Sequence, residues 1–61
     1  MKKFVEWQDE NGNILRLRIE GNRENAELCA FNISKVWKSA STKLIIAENG
    51  AEKTALEITR T

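Results

Sequence analysis

The sequence predicts an α+β domain: a two-layer sandwich of order ββαββ, with one helix packed on a four-stranded, mostly antiparallel sheet. Three observations predict it. Glu-Asn-Gly occurs twice, at 10–12 and 48–50, each time after a β-like run, and Asn-Gly between apolar runs is a strong hairpin signal because both residues tolerate positive φ. Residues 14–20 alternate strictly, with Leu15, Leu17 and Ile19 on one face. Residues 26–40 carry a single apolar stripe at three- and four-residue steps. One helix with one stripe covers one face of one sheet.

The first hairpin can be set in register. A two-residue turn at Asn11-Gly12 would put Leu15 opposite Gln8 and Leu17 opposite Glu6. A three-residue loop, Glu10-Asn11-Gly12, puts Trp7 opposite Leu15, Val5 opposite Leu17 and Glu6 opposite Arg16. A slip of one residue moves every side chain to the other face, so the apolar match selects the second pairing. It requires a type I turn with Gly12 left-handed, forming a bulge. The core face is then Val5, Trp7, Leu15, Leu17 and Ile19. The outer face carries Phe4, Glu6, Gln8, Ile14, Arg16 and Arg18.

Gly21 closes the second strand and Asn22 is the expected helix N-cap. The core stripe of the helix is Ala26, Cys29, Ala30, Ile33, Val36, Trp37 and Ala40, with Glu24 and Glu27 near its start and Lys35 and Lys38 near its end, as the helix dipole favours. Ser39, Ser41 and Thr42 favour leaving the helix. A third strand follows at Lys43–Ala47, then the second Asn-Gly turn. The alternation of Leu56 and Ile58 with Glu57 and Thr59 predicts a fourth strand, although Ala51-Glu52-Lys53 also suits a helical turn, and the register of this hairpin stays open. Strand three beside strand one makes the sheet antiparallel throughout and is preferred. Beside strand two it needs a right-handed parallel crossover.

Sixty-one residues make one domain, 1–61. A core this small contributes about 3–5 kcal/mol net, so such chains usually need a staple. Cys29 is alone and forms no disulfide within the chain. With no His, one Cys and scattered carboxylates, no metal or other cofactor is expected. That leaves tight packing or self-association, and a homodimer is expected. The formal net charge of +1 sets up no strong field toward nucleic acid or membrane. No run approaches the ~18 apolar residues of a membrane span. Phe4-Val5-Glu6-Trp7-Gln8-Asp9 is no signal-peptide core, and a lone cysteine suits a reducing compartment, so the expected location is cytoplasmic.

Catalysis is not expected. There is no His for general base work or for a Ser-His or Cys-His pair, no Tyr, and no glycine-rich phosphate loop. Cys29 lies on the apolar stripe, where a thiol is a small buried hydrophobe. Two surfaces remain. Leu28 and Phe31 are one turn apart on the back of the helix, with Lys35 at the rim. They form a candidate protein interface, as do the two sheet edges. Phe4, Arg16 and Arg18 form a small basic and aromatic patch on the outer sheet face, the candidate site for nucleic acid. A hairpin with a glycine turn followed by a helix opening resembles the arm-binding domains of tyrosine recombinases, which have three strands before the helix where this chain has two. That resemblance implies nucleic-acid binding and maps onto no individual residue here. The reading is therefore a non-catalytic interaction module binding a protein partner, itself, or both, with nucleic-acid binding by the sheet face as the alternative.

Overall fold

A computed structural model describes residues 1–38 and 41–59. The elements are β1 (Lys2–Gln8), β2 (Ile14–Ile19), α1 (Arg23–Trp37), β3 (Ser41–Glu48) and β4 (Ala51–Thr59). The strands form one antiparallel sheet in the order β2-β1-β3-β4. Strand three thus lies beside strand one, as preferred from the sequence.

The first hairpin takes the register that the apolar match selected: Trp7 faces Leu15, Val5 faces Leu17 and Glu6 faces Arg16. Its turn is the three-residue loop, with Gly12 at φ 84°. The Gly12 amide donates to the Asp9 carbonyl at 3.1 Å and the Asp9 amide to the Asn13 carbonyl at 2.9 Å. The Asp9 carboxylate fixes the loop from inside. Its Oδ1 accepts from the amides of Asn11 at 2.9 Å and Asn13 at 2.8 Å.

The second hairpin differs in kind. Asn49 and Gly50 both have positive φ, 54° and 79°, and form a two-residue turn of the type whose twist matches the flanking strands. Ala51–Lys53 are strand from the turn onward, not a helical turn. Leu44 pairs with Leu56 but Ile45 pairs with Thr54, so Ala55 is an extra residue in β4. This bulge explains why the register stayed open: it shifts the β4 alternation by one residue halfway along.

Asn22 caps the helix, its side chain accepting from the Asn25 amide at 2.8 Å. The helix ends at Trp37 with Lys38 left-handed at φ 51°. It presents Ala26, Ala30 and Ser34 to the sheet, all buried, and Cys29 and Ile33 half-buried beside them. These small side chains let the backbone lie close over Val5 and Leu44, which are fully buried in the middle of the sheet.

Three expectations about this core need correction. Val36 is 77% exposed, because at 100° per residue it stands about 120° from Ala30. Ser34, only 40° from Ala30 by the same spacing, takes its place in the core. Trp37 is 46% exposed, although its ring meets that of Trp7 at 5.7 Å in a tilted pair. Leu17 faces the helix side yet is 49% exposed. Ala40, the last residue of the expected stripe, lies outside the described residues.

Thr42 and Trp7 are opposite one another on β3 and β1. Both are buried, and neither Thr42 Oγ1 nor Trp7 Nε1 has a hydrogen-bond partner among the described residues. A buried polar atom left unpaired costs about 1–3 kcal/mol. Thr42→Val keeps the shape and removes the hydroxyl. It is expected to stabilise the fold by about 1 kcal/mol in chemical denaturation. A loss of stability would show that the hydroxyl is satisfied in solution.

Candidate functional site

The outer sheet face is more closed than a solvated face. Ile45 points outward beside Phe4 yet is only 6% exposed. Arg16 lies over both strands. Its guanidinium carbon is 5.2 Å from the centre of the Phe4 ring. Nη2 meets Glu6 Oε2 at 2.9 Å, and Nη1 meets Glu52 Oε2 at 2.9 Å. Arg16 belongs to one edge strand and Glu52 to the other. Three strand spacings separate them, about 14 Å, so the two side chains reach across the whole sheet. The pairing of Arg16 with Glu6 follows from the hairpin register. Glu52 could not be placed from the sequence, because its position depends on the β4 register.

The nucleic-acid candidates therefore stand as follows. Phe4 is half-buried under Arg16. Arg16 is held by two carboxylates, Glu52 first and Glu6 second, and both raise its pKa above the ordinary value. Arg18 meets Glu20 at 3.2 Å. The carboxylates partly neutralise both arginines, which weakens the attraction of this face for phosphate.

The helix surface carries the other candidates. Leu28 is 58% and Phe31 46% exposed, with Lys35 also exposed, so these three share open helix surface. The structure adds a second apolar surface that the sequence reading placed in the core. The connection from β2 through α1 to β3 is a crossover between parallel strands with β1 between them. Such crossovers are right-handed. That hand turns the Cys29, Ile33 and Val36 flank toward β2, and the Glu27 and Phe31 flank toward β4. Arg23, which pairs with Glu27 at 3.1 Å, lines a cleft with Ile46, Lys53 and Ala55 at the β3–β4 end, in agreement with that hand. Leu15 and Leu17 on β2 and Ile33 and Val36 on the helix thus border one apolar surface, closed at one end by Trp37.

No three of His, Cys, Asp and Glu are grouped to hold a metal ion among the described residues. No helix among them is long and apolar enough to cross a membrane. Comparison with protein-family models, curated proteins and solved structures finds no match.

Among the described residues, Asp9 is the carboxylate that its hydrogen bonds shift. Hydrogen bonds from Asn13, the backbone amide foremost, hold its pKa below 3.8. A depressed carboxylate contributes stability above its unfolded pKa, and the contribution is lost as pH falls through the folded value. Asp9→Asn keeps an acceptor and removes the charge. The stability gap between wild type and Asp9→Asn is expected to hold at neutral pH and to close below about pH 3.8. Denaturation midpoints measured across that range check it, and a gap independent of pH would contradict it.

Proposed function

We propose that this chain is a non-catalytic interaction module that works by binding protein, a partner or a second copy of itself, through exposed apolar surface. One observation carries the reading. Ile14, Leu17, Leu28, Phe31, Val36 and Trp37 are all more than two-fifths exposed in a domain of 61 residues. Single exposed apolar residues are ordinary on any surface. Two groups among the six are neighbours, Leu28 with Phe31 on the back of the helix and Val36 with Trp37 beside Leu17 on the β2 side, and clustered apolar exposure of this kind supports a contact role. Binding of this kind requires surface and no catalytic inventory, which suits a chain without His or Tyr.

The nucleic-acid reading draws on Phe4, Arg16 and Arg18, and the Glu6, Glu52 and Glu20 contacts weigh against it. Its signature is binding to a generic duplex or single strand at low salt that falls steeply as salt rises. Binding that Arg16→Ala with Arg18→Ala abolishes would favour it over the reading proposed.

The test is solution mass by light scattering over a tenfold concentration range, at low and high salt. Apolar association is expected to give a mass above the 7.0 kDa of one chain and to survive high salt. Leu28→Ser with Phe31→Ser is expected to leave the circular dichroism spectrum unchanged, because both side chains are largely exposed. Unfolding of that variant would make the two residues core. A mass of one chain under all conditions, together with no apolar dye binding that either surface's variants reduce, would contradict the reading.

A further inference from the structure

We infer that β2 is the interface between two copies of this chain, which pair their β2 strands antiparallel about a two-fold axis and extend the sheet from four strands to eight. This rests on the interaction-module reading and assigns the self-association to one surface.

The first ground is the state of the edge. Hydrogen bonds alternate along an antiparallel ladder. The bond from the Asp9 amide to the Asn13 carbonyl fixes the phase. Leu15, Leu17 and Ile19 therefore turn their backbone groups toward β1, and Ile14, Arg16 and Arg18 turn theirs to the open side. β2 is an edge strand, and its pairing with β1 is without a register shift. Edges are normally guarded by bulges, proline or charge. The opposite edge, β4, has its bulge at Ala55 and carries Glu52, Lys53 and Glu57. β2 lacks proline and bulge, and its charges, Arg16 and Arg18, are engaged by carboxylates of the same chain. Two β2 strands brought together do not set bare like charges against each other.

The second ground is self-complementarity. A strand edge offers alternating N–H and C=O groups, so an identical antiparallel strand matches it donor to acceptor. The two-fold axis stands perpendicular to the sheet and keeps both helices on the same side. Leu15 and Leu17 of the two copies then form a continuous apolar floor, bordered on each side by the Ile33 and Val36 flank of a helix. A second copy supplies to Leu17 the cover that its own helix does not reach.

The third ground is area. On the helix side Leu17, Val36 and Trp37 together expose on the order of 350 Å², within the few-hundred-Å² range of apolar patches that mark contact sites, and Ile14 adds apolar surface on the outer face of the same edge strand. With the backbone of a six-residue strand, this approaches the ~800 Å² per partner of a standard stable interface.

The experiment compares wild type, Leu17→Glu, and Leu28→Ser with Phe31→Ser by light scattering. Amide hydrogen exchange of the wild type is followed at high and low concentration. The expected result is a wild-type dimer. Leu17→Glu is expected to be a folded monomer, its association weakened on the order of a hundredfold, while the helix-back variant remains a dimer. The amides of Ile14, Arg16 and Arg18 exchange slowly in the dimer and quickly on dilution. Should Leu17→Glu fail to fold, the exchange data on the wild type decide alone. A wild-type dimer in which those three amides exchange fast, or in which folded Leu17→Glu still dimerises, overturns this interface and leaves the wider reading standing. A wild-type monomer at every concentration overturns the interface. If apolar dye binding by the helix back is also lacking, the wider reading falls with it.

Discussion

An α-helix with its side chains is about 10–12 Å across, while four strands span about 14 Å between the outer two and more at their margins. One helix cannot cover such a sheet, and most of what distinguishes this molecule follows from that mismatch. The helix lies over the middle of the sheet and buries Val5 and Leu44 completely. It does so with a face of Ala26, Ala30 and Ser34, because short side chains bring the backbone close enough for the sheet residues to fill the interface. The same closeness narrows its reach. On the β2 side Leu17 points toward the helix layer and is left half exposed. On the β4 side Leu56 and Ile58 are only partly buried.

The outer face offsets part of this shortage. Phe4 and Ile45 form a second, smaller apolar cluster there, and Arg16 lies across it between Glu6 and Glu52. An arginine suits this position because its stem covers apolar surface while its planar head bonds two carboxylates at once. The pairs are solvent-exposed, so each contributes modestly. Their geometric effect is larger: they tie the two edge strands together over β1 and β3. The functional consequence is a trade. Cations that could have bound phosphate are used within the fold, and the apolar surface on the helix side is left as the part of the molecule with unsatisfied contacts.

Much of the architecture was legible because each signal was local. The first hairpin could be registered from the apolar match of Trp7 with Leu15, and Asn22 and the helix stripe mark the helix without reference to anything distant. The failures share a different cause. Alternation tells which way Leu17 points but not whether a helix lies above it. The three- and four-residue stripe includes Val36 because a sequence pattern is wider than the contact the sheet makes, and it omits Ser34 because polarity hides a buried serine. The bulge at Ala55 conceals the β4 register, and with it the bridge from Arg16 to Glu52. For the candidate site, Leu28 and Phe31 lie on exposed helix surface where the helix phase put them. The sheet edges are candidate interfaces from the sequence, but the apolar residues beside the β2 edge, Leu17, Val36 and Trp37, read as core there, because periodicity does not show how far a helix covers a sheet.

In the dimer proposed, one copy of this chain leaves the β2 side of its core incomplete and a second copy completes it. The measurement that bears on it most directly is the thermal midpoint as a function of protein concentration. Association linked to folding makes the midpoint rise with concentration, because only the folded chain dimerises. A steady rise over about a hundredfold range of concentration is expected, and its loss in Leu17→Glu. A reversible transition whose midpoint is the same at every concentration would mean that the monomer is the complete folding unit and would contradict the claim.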